Sequence, residues 1–434
     1  MKRYAVVGTG GRSMIYINAL ATEYASTCRL VGLCDRNIGR ARLAQQRVRE
    51  AAGTEVPVYT DDQFDTMLAE QQPERIVVTT GPDRTHADYI IRAMRAGCDV
   101  MTEKPMTTTA ELCREILAAR EETGRELQVT FNYRYSPPRA QIRRMISEGA
   151  IGQVLSTNFS WYLDTRHGAD YFRRWHRRRE NSGSLLVHKA THHFDLVNWW
   201  IDDVPEEVFA HGTLRYYTPS HADALGLSGR GERCSVCPVS SRCPFFFDLA
   251  AKEGLKTMYL DQEKHDGYFR DRCVFSEEID IWDTMSLSVR YRSGALLNYL
   301  LHAYSPVEGY RIAFNGTKGR IEHFASENTY VSGDGTVPGE LERGKLGTTL
   351  IPEFERPQAV EPDIGAGGHG GGDPMLLRDV FAPTGEPDPL RRRANQVDGS
   401  YSILVGAAAA LSIDRREPVR IADLLGDAPL GERW

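Results

Sequence analysis

The sequence predicts an α/β domain with a doubly wound parallel sheet at residues 1–130, followed by an α+β domain with a mostly antiparallel sheet at residues 131–434. Up to about residue 130, short apolar runs alternate with segments of helical periodicity, which is typical of parallel strands joined by helical crossovers. Beyond residue 130, short turns join neighbouring apolar runs, which favours hairpins. A chain of 434 residues is also too long for one ordinary hydrophobic core.

Six strands are predicted in the first domain, with a helix between most successive strands. They begin near Tyr4, Leu30, Val56, Arg75, Asp99 and Leu127. In doubly wound sheets, ligands bind beyond the carboxyl ends of the strands. The residues that follow each strand are therefore the first candidates for a functional site.

The first strand ends in the glycine-rich stretch 8–13. Gly8 permits a tight turn, Gly10 allows the backbone to approach a pyrophosphate, and the small Ser13 stands where a third glycine would let the helix lie close to the strand. The N-terminus of the following helix favours negative charge. The stretch predicts a dinucleotide site that includes Gly8, Gly10, Gly11, Arg12 and Ser13.

The second strand ends at Asp35, where a carboxylate that binds the adenosine ribose is expected. Asp35 favours NAD as the cofactor. Arg36 follows directly, and its guanidinium could pair with a 2′-phosphate, so NADP stays open as an alternative.

Two further strand ends carry candidate residues. After the fourth strand, Thr80, Pro82 and His86 belong to a turn that could pass under a dinucleotide, although a plain loop is the alternative. After the fifth strand comes Glu103-Lys104-Pro105. The proline biases Lys104 toward an extended backbone, which would hold its ammonium at the nicotinamide end of the cleft.

The glycine-rich turn, the acid after the second strand and Glu-Lys-Pro after the fifth resemble the glucose–fructose oxidoreductase / inositol dehydrogenase (Gfo/Idh/MocA) family. The resemblance implies an N-terminal Rossmann domain that binds NAD(P), and a C-terminal domain whose large open sheet closes the active site. It also implies sugar or cyclitol substrates, a homo-oligomer (dimer or tetramer), and a Lys104 that contacts both cofactor and substrate hydroxyl.

The second domain is predicted to contain a long strand at Val154–Leu163 and two hairpins. One hairpin turns at residues 292–294 and the other at residues 315–319. The stretch from about Ser326 to Gly368 is rich in glycine, proline and charge, which predicts a loop.

A second motif follows the glycine turn at residue 183. His188, His192 and Asp195 are spaced to lie on one face of a helix, while Lys189 and His193 fall on other faces. The resemblance places the catalytic histidine at His192, and an aspartate where this chain has His188. Oxidation of an alcohol needs a base near neutral pH, so we predict His192 as base, Lys104 as the partner of the developing alkoxide, and His188 as a residue that binds substrate or shares the proton.

The stretch 166–179 is dense in arginine and aromatic residues. It is either a solvated face or a lid that binds an anionic sugar, since guanidinium groups match carboxylate and phosphate. Near the C-terminus, His369 lies in a glycine-rich stretch that either lines the pocket or forms a surface loop. The predicted substrate residues are Tyr133, Arg173, Arg174, Trp175, His176, Asp195 and His369.

An apparent insertion at about residues 226–280 contains Cys234, Cys237, Cys243 and Cys273. The C-x-x-C pair and the two later thiols could form a structural zinc site. Free thiols and an iron–sulfur cluster are the alternatives.

Bulk properties limit the other classes of partner. A net charge of −6 and a pI near 6.1 give no support for nucleic-acid binding. No apolar run approaches the length of a membrane span, and the first strand begins too close to Met1 to leave room for a signal peptide. These properties lead us to expect a cytoplasmic protein.

Three functions remain open from the sequence. The first is an NAD(P)-dependent oxidoreductase that transfers hydride between a secondary alcohol of a sugar or cyclitol and nicotinamide. The second is an NAD-dependent glycoside hydrolase, which the resemblance admits because some members use transient oxidation and elimination, and which the departure at His188 favours. The third is a non-catalytic NAD(H)-sensing protein.

Overall fold

The fold is described from a computed structural model that covers residues 1–328, 340–365, 367–383, 385 and 387–432. The strands are β1 (Lys2–Val7), β2 (Cys28–Cys34), β3 (Val58–Tyr59), β4 (Arg75–Val78), β5 (Asp99–Thr102), β6 (Leu127–Val129), β7 (Val154–Asp164), β8 (Pro205–Thr213), β9 (Thr284–Tyr291), β10 (Leu296–Ser305), β11 (Gly309–Gly316), β12 (Gly319–Glu327), β13 (Leu341–Pro352), β14 (Gln358–Val360), β15 (Ala394–Asn395) and β16 (Val419–Arg420).

The α-helices alternate with these strands in the first part of the chain and lie mostly together in the second. They are α1 (Met14–Ala21), α2 (Ile38–Ala52), α3 (Phe64–Gln71), α4 (His86–Arg95), α5 (Ala110–Thr123), α6 (Pro137–Ser147), α7 (Thr165–Arg173), α8 (Arg179–Ser182), α9 (Leu185–His188), α10 (Thr191–Ile201), α11 (Pro219–Ala224), α12 (Glu253–Met258), α13 (Glu263–Asp266), α14 (Gly368–Phe381), α15 (Gln396–Arg415) and α16 (Ile421–Leu425).

The first sheet has the strand order β15-β6-β5-β4-β1-β2-β3. All pairs among β1 to β6 are parallel, which confirms the doubly wound prediction. The order reverses between β1 and β4, so the carboxyl ends of these two strands flank the crevice where such sheets bind ligands. The edge strand β15 comes from near the end of the chain and pairs antiparallel with β6, which the sequence did not indicate.

The second sheet has the order β14-β13-β12-β11-β7-β10-β9-β8-β16. Its pairs are antiparallel except for β7 with β10, which confirms a mostly antiparallel sheet. Both predicted hairpins are present, as β9–β10 and β11–β12. Alternate residues of these strands are buried, because one face of the sheet packs on the helices of the second domain.

The prediction of a loop from Ser326 to Gly368 is wrong where β13 and β14 extend the sheet. Glycine and charged residues within β13 obscure the alternation that would have identified the strand. The parts of the predicted loop at residues 329–339 and 366 lie outside the described residues.

The helix α15 is buried along most of its length and packs against α9, α10 and β8. A Cβ atom at Gly406 would lie 2.3 Å from the carbonyl oxygen of Leu186, so this glycine permits the close approach of α15 to α9. Through that contact the core fixes the position of the histidines that follow. No helix among the described ranges is long and apolar enough to cross a membrane.

Candidate active site

A cleft of about 880 Å³ lies between the carboxyl ends of the first sheet and the helices of the second domain. The predicted residues that line it are Gly11, Arg12, Thr80, His86, Glu103, Lys104, Tyr133, Arg174, Trp175, His176, His188, His192 and His369. The cleft thus brings together most of the predicted catalytic and substrate residues. Lining residues that sequence reasoning missed include Asp83, Lys189, Tyr259, Arg270 and Asp373.

The glycine-rich turn has the geometry of a phosphate cradle. Gly8 adopts φ +87°, and a Cβ atom there would lie 2.5 Å from the carbonyl oxygen of Thr79. The hydroxyl of Ser13 donates a hydrogen bond of 2.6 Å to the carbonyl of Gly10, which closes the turn before α1. The turn and the start of α1 therefore fit the pyrophosphate of a dinucleotide.

Asp35 is buried at the end of β2, and its carboxylate accepts hydrogen bonds from the backbone N–H groups of Thr9 (2.6 Å) and Asn37 (2.7 Å). This places the carboxylate beside the turn, as the sequence predicts for a ribose-binding acid. Arg36 is exposed, whereas Arg40 lies 3.3 Å from Asp35. The cation beside the acid is thus Arg40, which one turn of α2 brings back toward Asp35.

The loops after β4 and β5 are held together by His86. One ring nitrogen lies 2.8 Å from the carbonyl oxygen of Pro105, and the other lies 2.9 Å from that of Thr80. Pro82 begins the short turn that places Asp83 in the cleft. These contacts give the loops a fixed relation to each other.

Arg12 joins the two domains at the cleft. Its Nε donates to Glu103 at 2.7 Å, and its two terminal nitrogens each donate to Asp373 at 3.1 Å. Burial raises the pKa of Glu103, but Arg12 and Lys104 outweigh burial and hold that pKa below its usual range. We conclude that Arg12 orients the Glu-Lys-Pro loop as well as forming part of the glycine-rich turn.

Lys104 extends from the loop after β5 toward the second domain. Its Nζ donates to the backbone carbonyl of His188 at 3.2 Å. Burial lowers the pKa of the ammonium, while Asp83 and Glu103 partly restore it. The side chain therefore lines the cleft and bridges the two domains.

His188 is paired with a carboxylate from the first domain. Its Nδ1 lies 2.5 Å from Oδ2 of Asp83. Burial and the Lys104 cation lower the pKa of His188 well below its ordinary value, and burial raises that of Asp83. The aspartate that the resemblance places at position 188 is thus replaced by a histidine that is hydrogen-bonded to an aspartate elsewhere. In the sequence, the one signal for Asp83 is its position just after the fourth strand. Its pairing with His188 could not be predicted, because the two residues are 105 positions apart.

His192 lies stacked on Tyr133, with 4.1 Å between the ring centroids. Its Nδ1 is buried and has no hydrogen-bond partner in the described part of the chain. Burial, followed by the charges of Lys104 and Lys189, lowers the pKa of His192 well below its ordinary value. The imidazole is therefore neutral at physiological pH, which is the form that accepts a proton.

The histidines at 188 and 192 do not share one continuous helix. The helix α9 ends at His188 and α10 begins at Thr191, so the two residues between them turn the chain. This break brings Lys189 into the cleft, where its Nζ donates to the hydroxyl of Tyr133 at 3.1 Å. Burial lowers the pKa of Lys189 to about 8.

Asp195 is not among the residues that line the cleft. It forms a buried ion pair with Arg134 at 2.5 Å, and Arg134 also lies 3.1 Å from Asp398. This carboxylate fixes α10 against the chain's last long helix.

The arginine-rich stretch divides between the cleft and the insertion. Arg174 lines the cleft and pairs with Asp170 at 3.1 Å. Arg173 instead donates to the carbonyl of Phe245 at 2.7 Å, and Arg177 donates to that of Cys273 at 3.1 Å. These two predicted lid arginines therefore support the insertion. Trp175 and His176 stack on each other beside His188, with ring centroids 3.6 Å apart.

The glycine-rich stretch near the C-terminus lines the cleft through His369. The residues 369–371 have positive φ values of 54°, 68° and 83°, so the chain turns sharply before α14 continues. The Nδ1 of His369 lies 2.8 Å from Asp373, the same carboxylate that Arg12 binds.

The four cysteines of the insertion line one small cavity, separate from the cleft. Among the described residues, however, no three His, Cys, Asp or Glu side chains are arranged to hold a metal ion. Burial also raises the pKa of Cys234 and Cys243. Among the described residues the geometry therefore does not support the predicted zinc site, and none of the four cysteines forms a disulfide.

Ion pairs and hydrogen bonds hold the insertion instead. Arg233 pairs with Glu263 at 2.5 Å and with Asp271 at 2.7 Å. Together with Arg173 and Arg177, these contacts explain how so polar a segment keeps a fixed shape.

Comparison with known proteins gives two matching family models. The model described as "Oxidoreductase family, NAD-binding Rossmann fold" matches residues 2–131, and "Oxidoreductase family, C-terminal alpha/beta domain" matches residues 143–421. A Bacillus subtilis protein named "Putative oxidoreductase YteT" is 38% identical over 439 residues, which are 98% of this chain and 99% of that protein.

Two further proteins show the breadth of the likeness. Inositol 2-dehydrogenase of Rubrobacter xylanophilus is 29% identical over 213 residues, covering 48% of this chain and 54% of its own length. A crystal structure of an oxidoreductase from Agrobacterium radiobacter in complex with NAD+, L-tartaric acid and magnesium matches with a TM-score of 0.63 and 15% identity, covering 98% of this chain and 99% of that one. At this identity the structural match shows the fold alone.

Proposed function

The chain belongs to the glucose–fructose oxidoreductase / inositol dehydrogenase (Gfo/Idh/MocA) family of oxidoreductases, and from this premise we propose that it transfers hydride between a secondary alcohol of a sugar or cyclitol and NAD. One observation carries the proposal: Lys104 and His192 line the same cleft at the carboxyl end of the first sheet. When bound, the nicotinamide supplies the hydride acceptor or donor. The chain supplies the proton acceptor and the electrostatic environment.

In the direction of oxidation, the substrate hydroxyl loses its proton while hydride leaves the same carbon. His192 accepts this proton at Nε2, because its Nδ1 is buried. The Lys104 ammonium stabilises the negative charge that develops on the oxygen. Placement and chemistry support both assignments: burial lowers the pKa of His192, which favours the neutral imidazole, and Lys104 lies in a buried, low-dielectric site.

The His188–Asp83 pair restores a carboxylate to this site. Asp83 fixes the orientation of the His188 ring through Nδ1, and the backbone carbonyl of His188 holds Lys104. The pair therefore positions the lysine and offers a second titratable group beside it. We assign it a role in proton sharing and in the orientation of Lys104.

The decisive experiment is a panel of polyols, cyclitols and glycosides, assayed with NAD for both reduced-nicotinamide absorbance and released sugar. The proposal predicts stoichiometric NADH with at least one polyol or cyclitol. Sugar release without net NADH would instead indicate an NAD-dependent glycoside hydrolase. Binding of NADH with no turnover on any substrate would indicate a non-catalytic sensor.

We expect NAD to bind at least about tenfold more tightly than NADP. The buried carboxylate of Asp35 would repel a 2′-phosphate, and Arg40, the nearest cation, is already paired with Asp35 and with Asp266 at 2.6 Å. Calorimetry with both dinucleotides measures the ratio. Asp35→Asn should reduce the preference for NAD over NADP. Asp65→Asn, at an exposed position on α3, should leave that preference unchanged. Equal affinities in the wild-type protein would contradict the assignment of NAD.

We propose further that the substrate carries an anionic group bound by Arg174. Arg174 lines the cleft, whereas Arg173 and Arg177 of the same predicted lid do not. Arg174→Gln should lower kcat/KM for a sugar uronate about tenfold and leave the neutral sugar nearly unchanged. Arg166→Gln is a matched control, because Arg166 is exposed in the same stretch. An equal loss of kcat/KM for the uronate and the neutral sugar would show that Arg174 does not bind the anionic group.

A further inference from the structure

The insertion at residues 226–280 docks directly on the glycine-rich turn of the first domain. The backbone N–H of Gly11 donates a hydrogen bond of 3.1 Å to the hydroxyl of Tyr259, which follows α12. The same hydroxyl would lie 3.2 Å from a Cβ atom at Gly11 and 3.9 Å from one at Gly10. Tyr259 therefore stands over the two glycines whose backbone is expected to face a pyrophosphate.

A second set of contacts joins the insertion to the turn after β2. The side-chain amide of Asn37 donates to the carbonyl of Gln262 at 2.9 Å, and Arg40 pairs with Asp266 at 2.6 Å. A Cβ atom at Gly39 would lie only 1.9 Å from the Oε1 of Gln262, so the two segments are in close contact. The insertion thus spans the edge along which a dinucleotide is bound in such sheets, from the pyrophosphate turn to the ribose-binding acid.

Cationic groups accompany Tyr259 at this edge. The guanidinium carbon of Arg270 lies 4.5 Å from the centre of the Tyr259 ring, and both residues line the cleft. Arg270 is only weakly paired, with one terminal nitrogen 3.4 Å from Asp170, and its buried Nε has no hydrogen-bond partner within the described ranges. Burial opposes ionisation of Tyr259, but Arg270 and Arg174 lower its pKa below the ordinary value. Two guanidinium groups therefore act on the Tyr259 hydroxyl, and the one from Arg270 is not fully paired.

We propose that the insertion completes the dinucleotide site, with the Tyr259 hydroxyl and the Arg270 guanidinium binding the pyrophosphate. This inference rests on the proposed function, because it concerns the same cofactor. A pyrophosphate oxygen takes the Gly11 N–H that Tyr259 now accepts, and the hydroxyl turns to donate to that oxygen. The Arg270 guanidinium, whose one contact with Asp170 is long, adds a charge-assisted hydrogen bond to the pyrophosphate.

The second set of contacts gives this arrangement a kinetic consequence. With the Asn37–Gln262 and Arg40–Asp266 contacts in place, the segment from α12 to α13 closes over the nucleotide and has to open before the dinucleotide leaves. The bound dinucleotide is therefore released slowly, and its release accelerates when either set of contacts is cut.

The first test measures affinity by calorimetry with ligands that contain or lack the pyrophosphate. Arg270→Ala should weaken binding of NADH and of ADP-ribose by a similar factor, about tenfold to a hundredfold. Binding of adenosine, which has no phosphate and is measured by competition, should not change. Arg272→Ala is the matched control, since Arg272 lies two positions away, is half-buried, pairs with Glu278 and does not line the cleft.

The second test measures the rate at which NADH leaves the protein, by stopped-flow fluorescence with excess ADP-ribose as competitor. Tyr259→Phe, which removes one oxygen atom, and Asp266→Asn, which cuts the Arg40 contact, should each accelerate release about tenfold. Thermal unfolding shows whether each variant is folded. Tyr259→Phe is the variant least liable to perturb the fold.

The outcomes separate the two proposals. If the wild-type protein binds NADH, and folded Arg270→Ala and Tyr259→Phe bind ADP-ribose and release NADH as the wild type does, this inference is overturned and the proposed function stands. If the wild-type protein binds neither NADH nor ADP-ribose, the proposed function fails with it.

Discussion

Replacing Lys104 with alanine should lower kcat by about a thousandfold while dinucleotide affinity stays close to that of the wild type. Lys104 is the cation that we place at the reacting oxygen, and its loss removes charge stabilisation that is greatest in the transition state. The glycine-rich turn and Asp35, which we expect to bind most of the dinucleotide, are unaffected by the change. Steady-state kinetics and calorimetry on the same preparation separate the two effects.

The pH dependence gives Lys104 a second signature. The ammonium form is the active one, and burial lowers the pKa of Lys104, so the fall of kcat/KM at alkaline pH should begin below the range of an ordinary lysine. Lys104→Arg should abolish this alkaline fall, because a guanidinium keeps its charge throughout. The residual activity of Lys104→Arg need only be measurable, because the test compares the shape of its pH profile with that of the wild type.

A control lysine is available outside the cleft. Lys318 is exposed in the turn between β11 and β12, and Lys318→Ala should leave kcat, affinity and the pH profile unchanged. If Lys104→Ala turns over substrate at a rate close to that of the wild type, Lys104 has no part in the chemistry.

Local patterns predicted those features of the fold that depend on neighbouring residues. Apolar runs and helical periodicity identified β1 to β6, and the glycines at 8 and 10 identified the turn that follows β1. The two hairpins could also be predicted, because their turn residues lie next to the strands they join. The strands β13 and β14 were missed, since composition rather than alternation dominates that stretch.

The site residues that the sequence did not predict have one property in common. Asp83, Tyr259 and Arg270 reach the cleft through contacts between segments far apart in the chain, and no local pattern encodes such pairings. The arginine-rich stretch shows the same limit: its composition indicated a cationic face, yet only the fold decides that Arg174 points to the cleft and Arg173 to the insertion. The four cysteines were correctly expected to lie together, but proximity alone does not create the geometry of a metal site.

Disrupting the His188–Asp83 pair should lower kcat about a hundredfold, whichever partner is changed. Asp83→Asn removes the carboxylate that orients the His188 ring at 2.5 Å, and His188→Gln removes the imidazole while keeping a polar side chain. Because the two groups act as one unit, the double variant should be no slower than the slower single variant. A double-mutant cycle on kcat measures this non-additivity directly.

The His188–Asp83 pair also predicts the direction in which activity changes with pH. Burial raises the pKa of Asp83, and an ionised Asp83 is the form that accepts the Nδ1 proton of His188 and leaves its Nε2 free to take a proton. Activity should therefore rise with pH as the pair loses its shared proton, and Asp83→Asn should remove that rise. Asp65→Asn, at an exposed aspartate of the first domain, serves as control. If the losses of the two single variants multiply in the double variant, the two side chains act independently and the pair has no joint role.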